Sequence, residues 1–421
     1  MSSLAPTDRA HAEQLDREDP LADLRARFAI DDADLVYLDG NSLGRLPIAT
    51  RERLGALVEQ WGDDLIRGWH EWIALPGRVG DALAEGVLGA RPGEVLVCDS
   101  VTVNLYKLAA AALDLAPPER RVLVTDASNF PTDRYVLDGL ARRHGLELRM
   151  FESDPLAGPQ PAQLERACSG GDVALVVLSH ISYRSGALAD IEGLSAAAAP
   201  ARVIWDLSHS AGALPVELSD RGVELAVGCT YKYLNAGPGA PAFLYVREDL
   251  QERLSTPIQG WFGQRDQFEM DRAYDPEPGI GRFLAGTPSP AGLVAVEEGA
   301  RLVAEAGADR LHEKARRLTA LIVELHDAWL APLGFELGSP RDPGRRGAHV
   351  SIRHPDAWRI TRALIDRANV IPDFRAPDAI RLGVPPLYTS FREVHDGLDR
   401  LRRLVEAGEQ HQVDASRRKV T

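Results

Sequence analysis

Six short apolar runs, Val122-Leu123-Val124, Leu148 to Phe151, Val173 to Leu178, Val203 to Trp205, Leu225 to Val227 and Phe243 to Val246, alternate with stretches of helical character. Runs that are short and continuously apolar suit strands buried on both faces, and strands separated by helices suit crossover connections. The pattern therefore predicts a largely parallel sheet flanked by helices, an α/β fold. At 421 residues the chain is long enough for a large domain plus a smaller one.

Strand ends in such a sheet are where ligands bind, so the residues delivered there matter most. The run Val203-Ile204-Trp205 delivers Asp206 and His209, and the run ending at Val227 leads to Tyr231 and Lys232. A lysine between two tyrosines, Tyr231 and Tyr233, after an apolar strand is in a setting that desolvates an amine. That lowers its pKa, as Schiff-base chemistry requires. A carboxylate at a neighbouring strand end can keep a pyridinium nitrogen protonated and so keep an electron sink open. The two types together suggest a cofactor clamp.

The rest of the chain frames that clamp. Residues 1 to 30 read as a polar helical arm, Val36 to Leu38 as a short strand, and DGNSLGRLP at 39 to 47 as a specialised loop. Leu54, Leu57, Val58, Trp61 and Leu65 share one face of a predicted helix. Two helices are predicted to flank VLVCDSVTVNLYKLAAAAL, with Ser100 or Thr102 capping the second; its free amides would welcome a phosphate. Residues 254 to 289 read as long loops and 292 to 330 as one long helix. A strand at His349 to Arg353, helices at 356 to 368 and 391 to 407, and a frayed tail over the last dozen residues complete the reading.

Other chemistries are disfavoured. The formal charge of −14 speaks against nucleic acid as a partner, and no run of about 18 apolar residues provides a membrane span. An acidic N-terminus without an apolar core is not a secretory signal, which suggests a cytoplasmic protein. Cys98, Cys168 and Cys229 are too widely spaced for a zinc site and odd in number, so core thiols are expected and no metal. No G-x-G-x-x-G follows a strand, against a dinucleotide-binding dehydrogenase.

DLSHSAGALPVEL followed by CTYKYLNAGPGAPAFLYV resembles the pyridoxal-phosphate signature of the fold-type-I enzymes, in the branch of kynureninases, cysteine desulfurases and class V aminotransferases. YLDGNSLGRLP, DSVTVNLYKL, SNFPTDRYV, QGWFGQ and IRLGVPPLYTSF are most similar to the kynureninase family, and the likeness runs from residue 37 to about 391. It implies an N-terminal arm and substrate loop over 1–50, a large pyridoxal-phosphate domain over 51–300 and a small α+β domain over 301–421. It implies Lys232 as the cofactor-bearing lysine and Cα base, and Asp206 as the ring-nitrogen partner. Tyr231, Val101 and Thr102 would bind the phosphate, Phe130 would stack on the ring, and Asp133 and His209 would complete its polar surround.

The resemblance further implies that Trp261 and Thr287 are lent by the neighbouring subunit of a homodimer. Arg381 would grip the substrate α-carboxylate, with Asn41, Ser42 and Trp69 near the substrate. The implied reaction is hydrolysis of L-kynurenine, or its 3-hydroxy derivative, to anthranilate or 3-hydroxyanthranilate and L-alanine, in tryptophan degradation. A class V aminotransferase shares most of this logic. A cysteine desulfurase or selenocysteine lyase needs a late-loop thiol, and no cysteine follows Cys229. A catalytically dead binding protein should lack Lys232 or Asp206, and the chain has both.

Overall fold

The computed structural model describes residues 5–414; residues 1–4 and 415–421, which include most of the tail expected to fray, lie outside the described residues. The central sheet has seven strands. In spatial order they are Val95–Val97, Phe243–Val246, Leu225–Gly228, Arg202–Asp206, Val173–Ser179, Val122–Asp126 and Glu147–Phe151. All six predicted runs are strands of it. The five from Leu225–Gly228 to Glu147–Phe151 pair in parallel, and Phe243–Val246 runs antiparallel to both of its neighbours. Apart from the edge strand Glu147–Phe151, where only Phe151 is buried, their side chains are almost all buried because helices cover both faces, and two apolar clusters fill the spaces above and below.

Two differences from the predicted elements have plain causes. Val95–Val97 is a strand of three buried residues, too short to show a period, and only Cys98, Asp99 and Ser100 separate it from the helix Val101–Asp114. The helix expected over 292 to 330 is two helices, Pro290–Ala306 and Ala308–Leu325, with a further turn at His326–Leu330. Gly307 at φ +82° divides them, a backbone geometry that ends a helix and that glycine adopts without Cβ strain.

The C-terminal part folds as a four-stranded antiparallel sheet in the order Asp373–Arg375, Ala379–Gly383, His349–Arg353, Glu336–Leu337. The helices Ala357–Arg367 and Phe391–Glu406 pack on it, the latter started by a reciprocal Ser390/Glu393 capping box. The N-terminal arm belongs to the same core. Its helix Arg9–Arg17 packs on Phe391–Glu406, and Val36–Tyr37 pairs in parallel with Val370–Ile371. That pairing delivers the 39–47 loop beside Arg381, where the amide of Gly383 donates to the carbonyl of Leu38 at 2.7 Å.

One apolar face is left uncovered. In the helix Ile48–Asp64 only Thr50 and Leu57 are buried, whereas Val58, Trp61 and, just beyond, Leu65 and Ile66 are exposed. The predicted face is divided: Leu57 is buried in the core and Leu54 packs against it, while Val58, Trp61 and Leu65 are exposed.

Candidate active site

The carboxyl ends of the parallel strands open into one cavity. Val101, Thr102, Phe130, Asp206, His209, Tyr231 and Lys232 all line it, together with Ser179, Tyr183 and Ser208. Asp206 is the last residue of its strand, is buried, and accepts from the Ser208 amide at 2.8 Å. Lys232 follows the next strand in a turn held by the 39–47 loop, where the Gly44 amide donates to the Tyr231 carbonyl at 2.8 Å. A Cβ on Gly44 would stand 2.3 Å from the Lys232 carbonyl oxygen, so only glycine lets the loop close on this turn.

The Lys232 amine is buried, 3.0 Å from His209 Nε2, with the rings of Phe130 and Tyr231 at 5.8 and 5.9 Å from it. Burial, and after it the Lys232 charge, hold the His209 imidazole well below its ordinary pKa, so the ring is neutral. With Lys232 donating to Nε2, the ring hydrogen sits on Nδ1, a buried atom without a hydrogen-bond partner. Burial also raises the Tyr231 phenol, keeping its proton on across the neutral range.

Asp133, in the first turn of the helix Pro131–His144, is fully buried but lies behind the lining. Burial first, and then the charge of Asp206, push its carboxyl well above the usual range. Asp133 therefore keeps its proton beside Asp206. Both oxygens of Asp133 lack partners among the described residues.

The helix Val101–Asp114 begins at the same cavity. Ser100, its cap, accepts from the Val103 amide, while the amides of Val101 and Thr102 have no intrahelical acceptor. An amine, a charged carboxylate and a helix start on one cavity form the donor and acceptor set that pyridoxal phosphate requires: a Schiff-base nitrogen, a ring-nitrogen partner and a phosphate seat. The unpaired His209 Nδ1 and Asp133 oxygens are groups that such a ligand could engage directly or through neighbours.

Asn41, Ser42 and Arg381 gather next to this cavity. Arg381 is buried and donates to the Tyr183 carbonyl at 2.7 Å and to Ser42 Oγ at 2.9 Å, and it pairs with Asp373, its cross-strand neighbour, at 2.6 Å. Its Nε has no partner, and neither has the buried Asn41 amide. Asp39 stands close by, its carboxyl pushed up to about 6 by burial first and then by Asp373. A carboxyl raised in the fold contributes stability below its ordinary pKa near 4 and loses that contribution as pH rises through about 6. Asp39→Asn is therefore expected to gain stability over the unsubstituted protein between pH 4 and 7, by about 2 kcal/mol at roughly 1.4 kcal/mol per pK unit, in urea unfolding at the two pH values.

Three predicted residues stand apart from the cavity. Trp69 is half-buried between Trp72 and Phe262, with ring centroids at 5.7 and 6.1 Å. Trp261 is 44% exposed against Phe262 and Phe268. Thr287 lines a second, adjoining cavity that shares Asp99 and Gly239 with the first. Residues not singled out from sequence include Ser179 and Tyr183. Ser179 could have been found as the polar residue ending the run Val173 to Leu178. Tyr183, which edges onto Phe130 at 5.2 Å, sits in a loop without a signature.

Comparison with known proteins places this geometry. Residues 82–340 match the aminotransferase class-V family and residues 311–401 the kynureninase C-terminal domain. The kynureninase of Pseudomonas fluorescens is 42% identical over 410 residues, covering 95% of this chain and 96% of that protein. The chain belongs to the kynureninase family. Its fold is that of the fold-type-I pyridoxal-phosphate enzymes. The apo cysteine desulfurase of Thermococcus onnurineus superposes with a TM-score of 0.78 over 91% of this chain and 98% of its own, at 19% identity. A C-DES structure holding glycine linked to its PLP cofactor gives 0.78 over 90% and 98%, at 20% identity. Kynureninase-family membership makes pyridoxal phosphate the cofactor, and the donor set above fits it.

Proposed function

We infer that this chain hydrolyses L-kynurenine to anthranilate and L-alanine with pyridoxal phosphate. The observation that carries the reading is the joint placement of the Lys232 amine, the Asp206 carboxylate and the Val101–Thr102 helix start on one cavity in a chain of this family. When bound, pyridoxal phosphate supplies a sink for negative charge developing at the substrate Cα and Cβ. Asp206 keeps the ring nitrogen protonated, and neutral Asp133 adds a hydrogen-bonding group without a second charge.

Arg381 takes the substrate α-carboxylate on its planar fork, with Ser42 and Asn41 beside it. The Lys232 amine, displaced from the cofactor by substrate, would be the base that removes the Cα proton, positioned by its 3.0 Å contact with His209 Nε2. Water adds to the γ-carbonyl, the Cβ–Cγ bond breaks, and the aryl acid leaves while the three-carbon fragment is protonated to alanine. Tyr231, held protonated, is the donor we assign to that reaction. Trp69, packed between Trp72 and Phe262 apart from this chain's cavity, is given no contact with the aryl ring. Release of fluorescent anthranilate from L-kynurenine, dependent on added pyridoxal phosphate, tests the reading; comparison with the 3-hydroxy substrate tests which ring the site prefers.

We further propose a homodimer in which Trp261 and Thr287 complete the partner's site. The exposed Val58, Trp61, Leu65 and Ile66, together with exposed Trp261, Phe268 and Met270, are apolar side chains that a partner chain would cover. Neither Trp261 nor Thr287 reaches the main cavity of its own chain. Mixing Lys232→Ala and Trp261→Ala chains should then regenerate one intact site per heterodimer, with activity near half that of the unsubstituted dimer on the order-of-unity arithmetic of composite sites. Verified heterodimers without activity would exclude the shared site.

A further inference from the structure

The segment DSVTVNLYKL contains a lysine that the reaction does not use. Lys107 lies on the apolar side of the helix Val101–Asp114 and is fully buried. Its amine donates to Asp99 Oδ2 at 2.7 Å, to the Phe283 carbonyl at 2.6 Å and to Cys98 Sγ at 3.4 Å. Asp99 is a non-glycine residue at φ +50°, pinned by the Ala242 amide donating to its carbonyl at 2.9 Å. Its side chain is partly exposed and lines the cavity beside Ser100, Val101 and Thr102. A carboxylate thus stands at the end of the cavity assigned to a dianion.

The helix start offers only about half an elementary charge to such a dianion. No arginine lines the cavity among the described residues, and the lysine that does, Lys232, belongs to the other end of the ligand. The net potential at the phosphate seat therefore turns on whether Asp99 is neutralised. Phe283 also leads into the 284–289 loop that carries Thr287, so the same amine anchors both walls of that corner.

We propose that Lys107 is a positioning residue for cofactor phosphate, acting through Asp99: it cancels the charge of Asp99 and fixes that residue's strained backbone at the helix entry. The inference rests on the reading that the Val101–Thr102 helix start seats the phosphate. It predicts a defect specific to the phosphate group, which loss of structure alone would not produce.

The test is spectrophotometric titration of apoenzyme with pyridoxal phosphate and with pyridoxal, which lacks the phosphate. Lys107→Met should weaken pyridoxal phosphate about tenfold or more while pyridoxal changes about twofold or less, because only the former meets the bared carboxylate. Asp99→Asn should leave pyridoxal phosphate binding as tight or tighter, and the double variant should restore the ratio of the two affinities. Equal weakening of both ligands by Lys107→Met, or no restoration in the double variant, would overturn the proposal. Should Lys107→Met not fold, Asp99→Asn decides alone, since a fall in its phosphate preference contradicts the charge argument. Equal affinity of unsubstituted apoenzyme for the two ligands would take down the phosphate seat, and with it this inference; a normal preference left unmoved by the variants would take down this inference only.

Discussion

Lys232→Ala is expected to abolish turnover and to leave no cofactor covalently retained after borohydride reduction and denaturation. Among the described residues Lys232 carries the one primary amine lining the cavity, buried between Phe130 and Tyr231 and in contact with His209. Two proposed functions go with it, attachment of the cofactor and removal of the Cα proton, so the loss should exceed the 10²–10⁴-fold usual for a general base alone, roughly by orders of magnitude. The fold should survive. The amine makes a single side-chain hydrogen bond, to His209, and loss of that partner costs about 1–3 kcal/mol, within reach of a domain of this size. Cofactor still trapped on the Lys232→Ala variant would place the attachment elsewhere, and activity above background would remove Lys232 from the proton transfer.

The second large effect is expected from Asp206→Asn, and its contrast with Asp133→Asn is the informative part. Asp206 and Asp133 are both buried, and Asp133 is held protonated by burial and by the Asp206 charge. Asn at 133 therefore replaces a neutral group by a neutral group, whereas Asn at 206 removes the carboxyl group proposed to keep the cofactor nitrogen protonated. Asp206→Asn should lower kcat by about 10²–10³, the usual scale for one preorganised electrostatic contact, while Asp133→Asn should cost about tenfold or less. The same pair should separate in the absorption spectrum of the bound cofactor, altered by the change at 206 and near normal with the change at 133. Equal losses, or the reverse order, would assign the charge to Asp133.

Much of this organisation was legible in the residues, for reasons that also explain what was not. Strands buried on both faces must be apolar throughout, which makes five of the six short runs legible, the sixth being the edge strand Glu147–Phe151, and Asp206, His209, Tyr231 and Lys232 stand out as polar residues delivered at two of their ends. Val95–Val97 was hidden because three residues carry no period, and the break at Gly307 because a lone glycine is tolerated within helical spacing. Leu54, Leu57, Val58, Trp61 and Leu65 space as one apolar face, but sequence spacing does not say which of them meet their own chain and which stay exposed.

The long-range partners were least visible. Tyr183 beside Phe130 and Lys107 beside Phe283 depend on packing between distant segments, and Asp373 beside Arg381 on the register of two adjacent strands. Family resemblance supplied Arg381, Trp261 and Thr287, which no local pattern singles out. The local pattern around Lys107, a lysine followed by LAAAAL, reads as an ordinary amphipathic boundary until the fold brings three acceptors to its amine.

The most direct measurement of the central claim is product stoichiometry from L-kynurenine and the pyridoxal-phosphate-loaded enzyme, with no keto acid added. Hydrolytic cleavage predicts anthranilate and L-alanine in equal amounts over many turnovers. A single-turnover release of keto acid, with the amine left on the cofactor and no alanine formed, would contradict it and make the chain a transaminase built on the same site.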